Sequence, residues 1–254
     1  MWEARFAARE GAIAEHLAAI EEHAGALEAL GGEPPPAPRW TQDWFPRLDA
    51  AAAYAMVRRF RPRRIVEVGS GHSTRFFARA AAEAGGATSI TAIDPAPRAS
   101  LAGLEIELLR VPVQQAGDAP FAALADGDFL AVDSSHVLSP GSDVDYLVHR
   151  VLPALPVGVR VHFHDIFLPD EYPVSWAWRR YNEQRAVAAL LANGGYVIEF
   201  ASAWLVSRRA HWLARGVVSR LPLVPGALES SLWLRKAQAQ ATCTGRPRRA
   251  GRRP

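Results

Sequence analysis

Two parts of this sequence carry the residue types that hold cofactors and move protons. The run Glu67-Val68-Gly69-Ser70-Gly71-His72-Ser73-Thr74 joins an apolar segment to an amphipathic one. Its glycines permit a tight turn and let a ligand approach the backbone where a strand ends and a helix begins. Thr74 stands where the third glycine of a dinucleotide fingerprint, G-x-G-x-x-G, would fall. Glu67 would repel a phosphate, so a pyrophosphate ligand, and nicotinamide chemistry with it, is disfavoured. The same carboxylate suits a ligand with a cationic end; its alternative role is to hydrogen bond the glycine turn. Asp94 follows Gly71 by 23 residues at the end of the next apolar run, a spacing that lets a carboxylate accept both hydroxyls of a ribose. Glu67, Gly69, Ser70, Gly71, Ser73 and Asp94 therefore predict a site for a nucleoside bearing a positive charge.

The second part comprises Val132-Asp133-Ser134-Ser135-His136 and His162-Phe163-His164-Asp165. Each aspartate ends an apolar run, and in a doubly wound sheet these strands would be neighbours about 4.8 Å apart, with both tips on the ligand side. Two carboxylates that close either share a proton or hold a cation. Asp133, Asp165 and His164 form a set suited to Mg²⁺ or a similar divalent ion, with water or an acceptor hydroxyl completing the shell. His136 falls in the loop at the same mouth and is the first candidate for a general base, with His164 the second. His162 is read as a core histidine, because a zinc hydrolase built on H-x-H would need further ligands at spacings absent here. No G-x-S-x-G elbow accompanies Ser134 or Ser135, which removes a serine hydrolase.

These side chains need a scaffold that delivers strand ends to one edge. From Arg64 onward, short β-rich runs alternate with helical patterns, the signature of a parallel sheet covered on both faces. The runs are Ile65–Val68, Ser89–Ile93, Glu105–Leu109, Phe129–Val132 and Val159–Phe163, followed by Tyr196–Ala201 and Ser231–Leu234. Ser142 and Asp145 form a capping box opening a scaffold helix, a long helix is expected from about Ser175 to Asn193, and the stretch Trp204–Glu229 reads as irregular. Before the sheet, Glu3 to Leu30 reads as one amphipathic helix, and Pro34-Pro35-Pro36-Ala37-Pro38 as a stiff connector. That first helix is expected to be an appendage, a lid or an arm through which two copies associate. Trp40, Trp44 and Phe45 are read as core, and a second helix as Arg47–Phe60. Phe167, Leu168, Tyr172, Trp176 and Trp178 suit an apolar substrate wall. The expected organisation is 1–39 helix and connector, 40–240 catalytic domain and 241–254 basic tail.

Composition narrows the function classes. The 254 residues are 49% hydrophobic and 22% charged, which excludes fibrous and wholly disordered chains. The net charge is +3, but five arginines lie between positions 246 and 253, and without them it is −2. A specific nucleic-acid partner is therefore not expected. The single cysteine, Cys243, can form neither an internal disulfide nor a multi-cysteine zinc site. No uninterrupted apolar run reaches about 18 residues, and the start lacks a secretion signal, so no membrane partner is expected and a cytoplasmic location is.

Glu67 to Ser73 with Asp94 resembles the first two motifs of the class I S-adenosylmethionine-dependent methyltransferases, whose cofactor has a sulfonium, a ribose and an adenine. The segment Gly127–Tyr172 more specifically resembles bacterial methyltransferase family 24, related to the catechol O-methyltransferase type. The resemblance covers roughly residues 40–236. It implies a Rossmann-like α/β fold with a seven-stranded, mostly parallel sheet, a cofactor over the strand tips and a small-molecule acceptor. It also implies that Gln114 meets the adenine. In metal-dependent members the ligands come from these strand ends, with an acidic or amide residue usually accompanying the last aspartate; His164 departs from that pattern. The function expected is methylation of a small-molecule hydroxyl. The alternative from another class is a protein that binds S-adenosylmethionine and acts through a partner.

Overall fold

The structure, a computed structural model, describes residues 1–238. Cys243 and the basic segment 241–254 lie outside the described residues. Chain order begins α1 (Trp2–Ala7), α2 (Glu10–Glu21), α3 (Ala24–Ala29) and α4 (Arg47–Phe60). The sheet region then runs β1 (Arg64–Val68), α5 (His72–Glu83), β2 (Ser89–Ile93), β3 (Glu107–Leu109), α6 (Val113–Ala116), α7 (Ala119–Ala122) and β4 (Phe129–Val132). After α8 (Asp143–Tyr146), a π turn at Leu147–Val151 and α9 (Leu152–Ala154) comes β5 (Arg160–Phe163). A 3₁₀ turn at Val174–Arg179 leads to α10 (Glu183–Ala192) and β6 (Tyr196–Ala201); α11 (Ser202–Arg208), α12 (Ala210–Leu213), α13 (Gly216–Arg220) and β7 (Leu232–Lys236) complete the fold.

The strands form one sheet in the order β3-β2-β1-β4-β5-β7-β6, parallel except for β7, which runs antiparallel to both neighbours. This is the Rossmann-like α/β architecture expected. The inner strands are apolar on both faces because helices cover both, so Ile65, Val66, Leu130, Val132, Val161 and Phe163 are all buried. β1 pairs with β4 and β4 with β5 in register, Val68 opposite Val132 and Val132 opposite Phe163. The next residue on each strand, Asp133 and His164, continues the ladder by donating its N–H to the carbonyls of Val68 and Val132, both at 2.9 Å. Register therefore carries both acidic tips to one edge.

Four expectations about elements need correction. The N-terminal segment is three helices, with turns at Ala8–Arg9 and Glu22–His23. Its buried residues Phe6, Ile13, Ile20 and Leu27 recur every seventh position. A straight helix would rotate such a stripe by about 20° per repeat, and the turns re-aim it onto α4 and β6. The stripe belongs to the main hydrophobic core, so this apolar face is covered by the chain's own sheet domain. The helix expected at 175–193 is broken at Arg180, whose φ is +56°. There the N–H groups of Asn182 and Glu183 reach the carbonyl of His136 at 3.0 and 3.2 Å, docking α10 onto the loop after β4. The stretch 204–229 is largely helical, with Trp204, Leu205, Val217 and Val218 buried, and only Gly226, Ala227 and Leu228 reach the cavity. The Ser142 cap is half a box: Ser142 Oγ accepts the Asp145 N–H at 3.1 Å, while the Asp145 carboxylate takes the Gly141 N–H at 2.9 Å.

Among the described residues, no helix is long and apolar enough to cross a membrane. Because Ile13 is fully buried between α2 and the core, Ile13→Ala should destabilise the whole domain by about 2–5 kcal/mol, read as a lowered urea midpoint. A detached appendage would leave that midpoint unchanged.

Candidate active site

The glycine loop turns between β1 and α5. Gly69 has φ +81°, and a Cβ there would stand 1.8 Å from the Asp133 carbonyl oxygen, so only glycine lets the tips of β1 and β4 meet. Thr74 replaces a third glycine for a visible reason. Its hydroxyl accepts the Gly71 N–H at 2.9 Å and donates to Glu67 Oε2 at 2.6 Å, while Ser73 Oγ donates to Glu67 Oε1 at 2.5 Å. Glu67 is fully buried and does not line the cavity. This corrects its assignment as a direct contact for a cationic ligand: it braces the loop through two hydroxyls. Burial pushes its pKa up to about 8, partly offset by those hydroxyls. Gly69, Ser70, Gly71 and Ser73 do line the cavity, as do Asp94 and Gln114. Asp94 Oδ2 accepts the Ser70 N–H at 2.6 Å and Ser70 Oγ at 3.0 Å, and Oδ1 accepts the Ala96 N–H at 2.8 Å. The Gln114 amide donates to the Gly141 carbonyl at 2.9 Å.

At the other end of the cavity the structure brings together Asp133, His136, His164 and Asp165. His136 Nε2 lies 3.3 Å from Asp133 Oδ1 and 3.5 Å from Asp165 Oδ2. His164 Nδ1 lies 3.6 Å from Asp133 Oδ1 and 3.4 Å from Asp165 Oδ1. The far nitrogen of each ring is held by a buried carboxylate, His136 Nδ1 by Glu183 at 2.9 Å and His164 Nε2 by Asp49 at 3.1 Å. Asp49 also accepts the N–H groups of Ser230 and Ser231, both at 2.9 Å. Two of the four ring-and-carboxylate residues have left-handed backbones, His136 at φ +59° and Asp165 at φ +56°. Such conformations cost about 1–3 kcal/mol in non-glycine residues and cluster where geometry is imposed for function.

Charge explains the pairing. Burial opposes ionisation of Asp133, but His164 and His136 hold it well below the usual carboxylate range. Burial likewise works against both imidazolium ions, yet Asp133 with Glu183 and Asp165 raises His136, and Asp133 with Asp165 raises His164, each well above the usual value. Burial raises Glu183, against the lowering effect of His136. His162 behaves as the core residue expected: its Nε2 meets Ser231 Oγ at 2.8 Å, and burial lowers it to about 3.

A divalent ion can be tested against this donor set. The four nitrogen-to-oxygen separations of 3.3–3.6 Å exceed the ~2.7–2.9 Å of a charge-assisted hydrogen bond. They approach the ~3.0–3.4 Å that separates two donors each about 2.1 Å from one ion. Carboxylates on the far nitrogens are also what orients metal-ligating histidines. Among the described residues, no group of three His, Cys, Asp or Glu side chains is placed to hold a metal ion. The residues match such an ion in donor type and in the carboxylates behind each ring, but their arrangement does not assemble a site for it.

The rim adds side chains that sequence reasoning assigned differently or missed. Trp44, read as core, is 48% exposed and lines the cavity. Trp176 lines it too, together with Arg179 and Tyr181, whereas Trp178 points outward at 76% exposure. Glu183 and Asp49 carried no local signal, since their partners lie 47 and 115 residues away in sequence. The whole cavity is about 750 Å³, within the range for small-molecule sites.

The sheet order and a glycine loop facing an acidic strand tip are features shared with the class I methyltransferases, enzymes that take their methyl group from S-adenosylmethionine. Residues 66–166, from β1 to just past the end of β5, match the methyltransferase domain model of family 24. Among solved structures, the chain is similar to the SAH-bound methyltransferase PaMTH1 of Podospora anserina, with 16% identity over 87% of this chain and 88% of that one and a TM-score of 0.49. It is similar to cofactor-bound Rv0187 from MTB, with 17% identity over 74% and 81% and a TM-score of 0.42. For the plantazolicin methyltransferase BpumL the values are 12% identity, 74% and 83%, and 0.42. No curated protein matches.

Glu67 yields a prediction about pH. Its native pKa of about 8, against an ordinary 4.5, means the folded state keeps a proton that the unfolded chain releases. Its contribution to stability is whole below pH 4.5 and declines as pH rises through about 8. Urea midpoints measured at pH 5 and pH 8 should therefore differ less in Glu67→Gln than in the parent protein.

Proposed function

We propose that this methyltransferase transfers a methyl group from S-adenosylmethionine to a hydroxyl of a small-molecule acceptor, assisted by a divalent cation. The observation that carries the reading is a single cavity lined both by the glycine loop and Asp94 and by Asp133, His136, His164 and Asp165. Donor and acceptor would meet where Gly69 touches the Asp133 backbone.

Methyl transfer is an in-line displacement: the acceptor oxygen forms a bond to the methyl carbon as the carbon–sulfur bond breaks, leaving S-adenosylhomocysteine. The protein must hold the two partners in line at roughly 3 Å and take the acceptor proton. Asp94 would take the ribose hydroxyls, Gln114 would stand beside the adenine, and Ser70, Gly71 and Ser73 would face the remainder of the cofactor. His136 would receive the proton at Nε2, with Glu183 on Nδ1 fixing the ring, the logic of a base oriented by a carboxylate. Positive charge arriving with the sulfonium weakens that ring's hold on its own proton.

Asp133, Asp165 and His164 would hold the cation, which leaves His136 Nε2 free for the proton. Four carboxylates, Asp49, Asp133, Asp165 and Glu183, face only two imidazoles, which leaves room for added positive charge. An ion there would orient an acceptor hydroxyl and lower its pKa. Nitrogen donors suit Mn²⁺ or a later metal better than Mg²⁺.

Calorimetric titration with S-adenosylhomocysteine and electron paramagnetic resonance of added Mn²⁺ separate the two ends. Asp94→Ala should weaken nucleoside binding by roughly 100-fold and leave Mn²⁺ binding intact. Asp133→Ala should keep the nucleoside and lose Mn²⁺. Equal losses from both changes would defeat the division of labour.

A further inference from the structure

Arg179 is the feature of the cavity that methyl transfer leaves unused. It closes the 3₁₀ turn Val174–Arg179 and lines the cavity beside Tyr181. Its guanidinium lies over Trp176, 4.3 Å from the ring centroid, and within 5.4 Å of the Tyr181 ring centroid; one terminal nitrogen donates to the Tyr181 hydroxyl at 3.1 Å. Its Nε is buried with no hydrogen-bond partner. The acids nearest in sequence are engaged elsewhere, Glu183 by His136 at 2.9 Å, Glu171 by Arg185 at 3.5 Å and Asp170 by Arg208 at 2.6 Å. A guanidinium partly withdrawn from water and stacked on aromatic rings, with no carboxylate partner among the described residues, matches a carboxylate in geometry and charge.

The surroundings define what that carboxylate is attached to. The Tyr181 ring packs near both Arg179 and His136, its centroid 4.7 Å from that of the His136 ring and 5.4 Å from the guanidinium. Arg179 and the proton-accepting ring thus share a neighbour on the cavity wall. Trp44 and Trp176 supply further flat apolar surface along the cavity, which favours a planar body over a flexible one. The other cavity arginine, Arg98, follows Asp94 beside the glycine loop and lies 4.4 Å from the Trp44 ring centroid, at the nucleoside end.

We propose that Arg179 selects the acceptor by its carboxylate, and that the acceptor class is a hydroxylated acid whose carboxylate reaches Arg179 while its reacting hydroxyl reaches His136. The proposal rests on the reading of the His136 end as the acceptor site. The bland alternative is that Arg179 only holds the Trp176–Tyr181 turn together.

Binding of 3,4-dihydroxybenzoate and of its neutral amide, 3,4-dihydroxybenzamide, to protein saturated with S-adenosylhomocysteine distinguishes the two. In the parent protein the acid should bind at least tenfold more tightly than the amide, a ratio expected of one charge-assisted contact. Arg179→Gln should bring the ratio close to one by weakening the acid alone, and Arg179→Lys should keep part of it. S-adenosylhomocysteine affinity should be the same in all three proteins. Equal binding of acid and amide by the parent, binding of neither, a ratio that survives Arg179→Gln, or weakening of both ligands together in that variant would each overturn the proposal. A parent protein that does not bind S-adenosylhomocysteine would overturn the function reading itself, a separate result read before either acid or amide is added.

Discussion

Two carboxylates at the tips of adjacent parallel strands repel each other, and the architecture of the cavity is organised around that repulsion. Asp133 stands where the β1–β4 register places it, and Asp165 directly follows His164, whose N–H extends the β4–β5 ladder. His136 and His164 come between them, and each ring is held from behind by a buried carboxylate. The price is visible in the backbone, where His136 and Asp165 adopt left-handed conformations that side chains disfavour. Glu183 and Asp49 tie α10 and α4 to the strand tips, so the electrostatic arrangement also fixes where two helices dock.

The glycine loop is coupled to the same point. Gly69 touches the Asp133 carbonyl closely enough to exclude any side chain, so the cofactor end and the acidic end share a backbone contact. Glu67 keeps the loop in shape from inside the core, through Ser73 and Thr74. A carboxylate that is buried in this way stiffens a turn without meeting the ligand. Its position in the motif therefore reflects how the loop folds, and the charge that faces the cavity comes from Asp94 and Asp133.

Much of this was legible before any coordinates. The apolar runs gave every strand within two residues, because strands buried on both faces read as continuous apolar segments. Asp94, Asp133, His136, His164 and Asp165 were picked out because each lies at or just past the end of such a run, where a parallel sheet presents its ligand edge. The less legible parts were those set by distant partners. The N-terminal stripe looked like a free amphipathic helix because periodicity shows a face and not what covers it. The long helix expected at 175–193 breaks because its start must bond the His136 carbonyl, a contact no local propensity encodes.

By itself, then, the sequence determined the alternation of strands and helices, the glycine turn and the residue types at the cavity edge, since each depends on neighbours a few positions away. Only the tertiary structure decided which carboxylates face the cavity and which brace it, that Glu183 and Asp49 hold the two imidazoles, and that Trp44, Arg179 and Tyr181 line the cavity. Those assignments depend on through-space distances between groups far apart in the chain, set by strand register and helix docking.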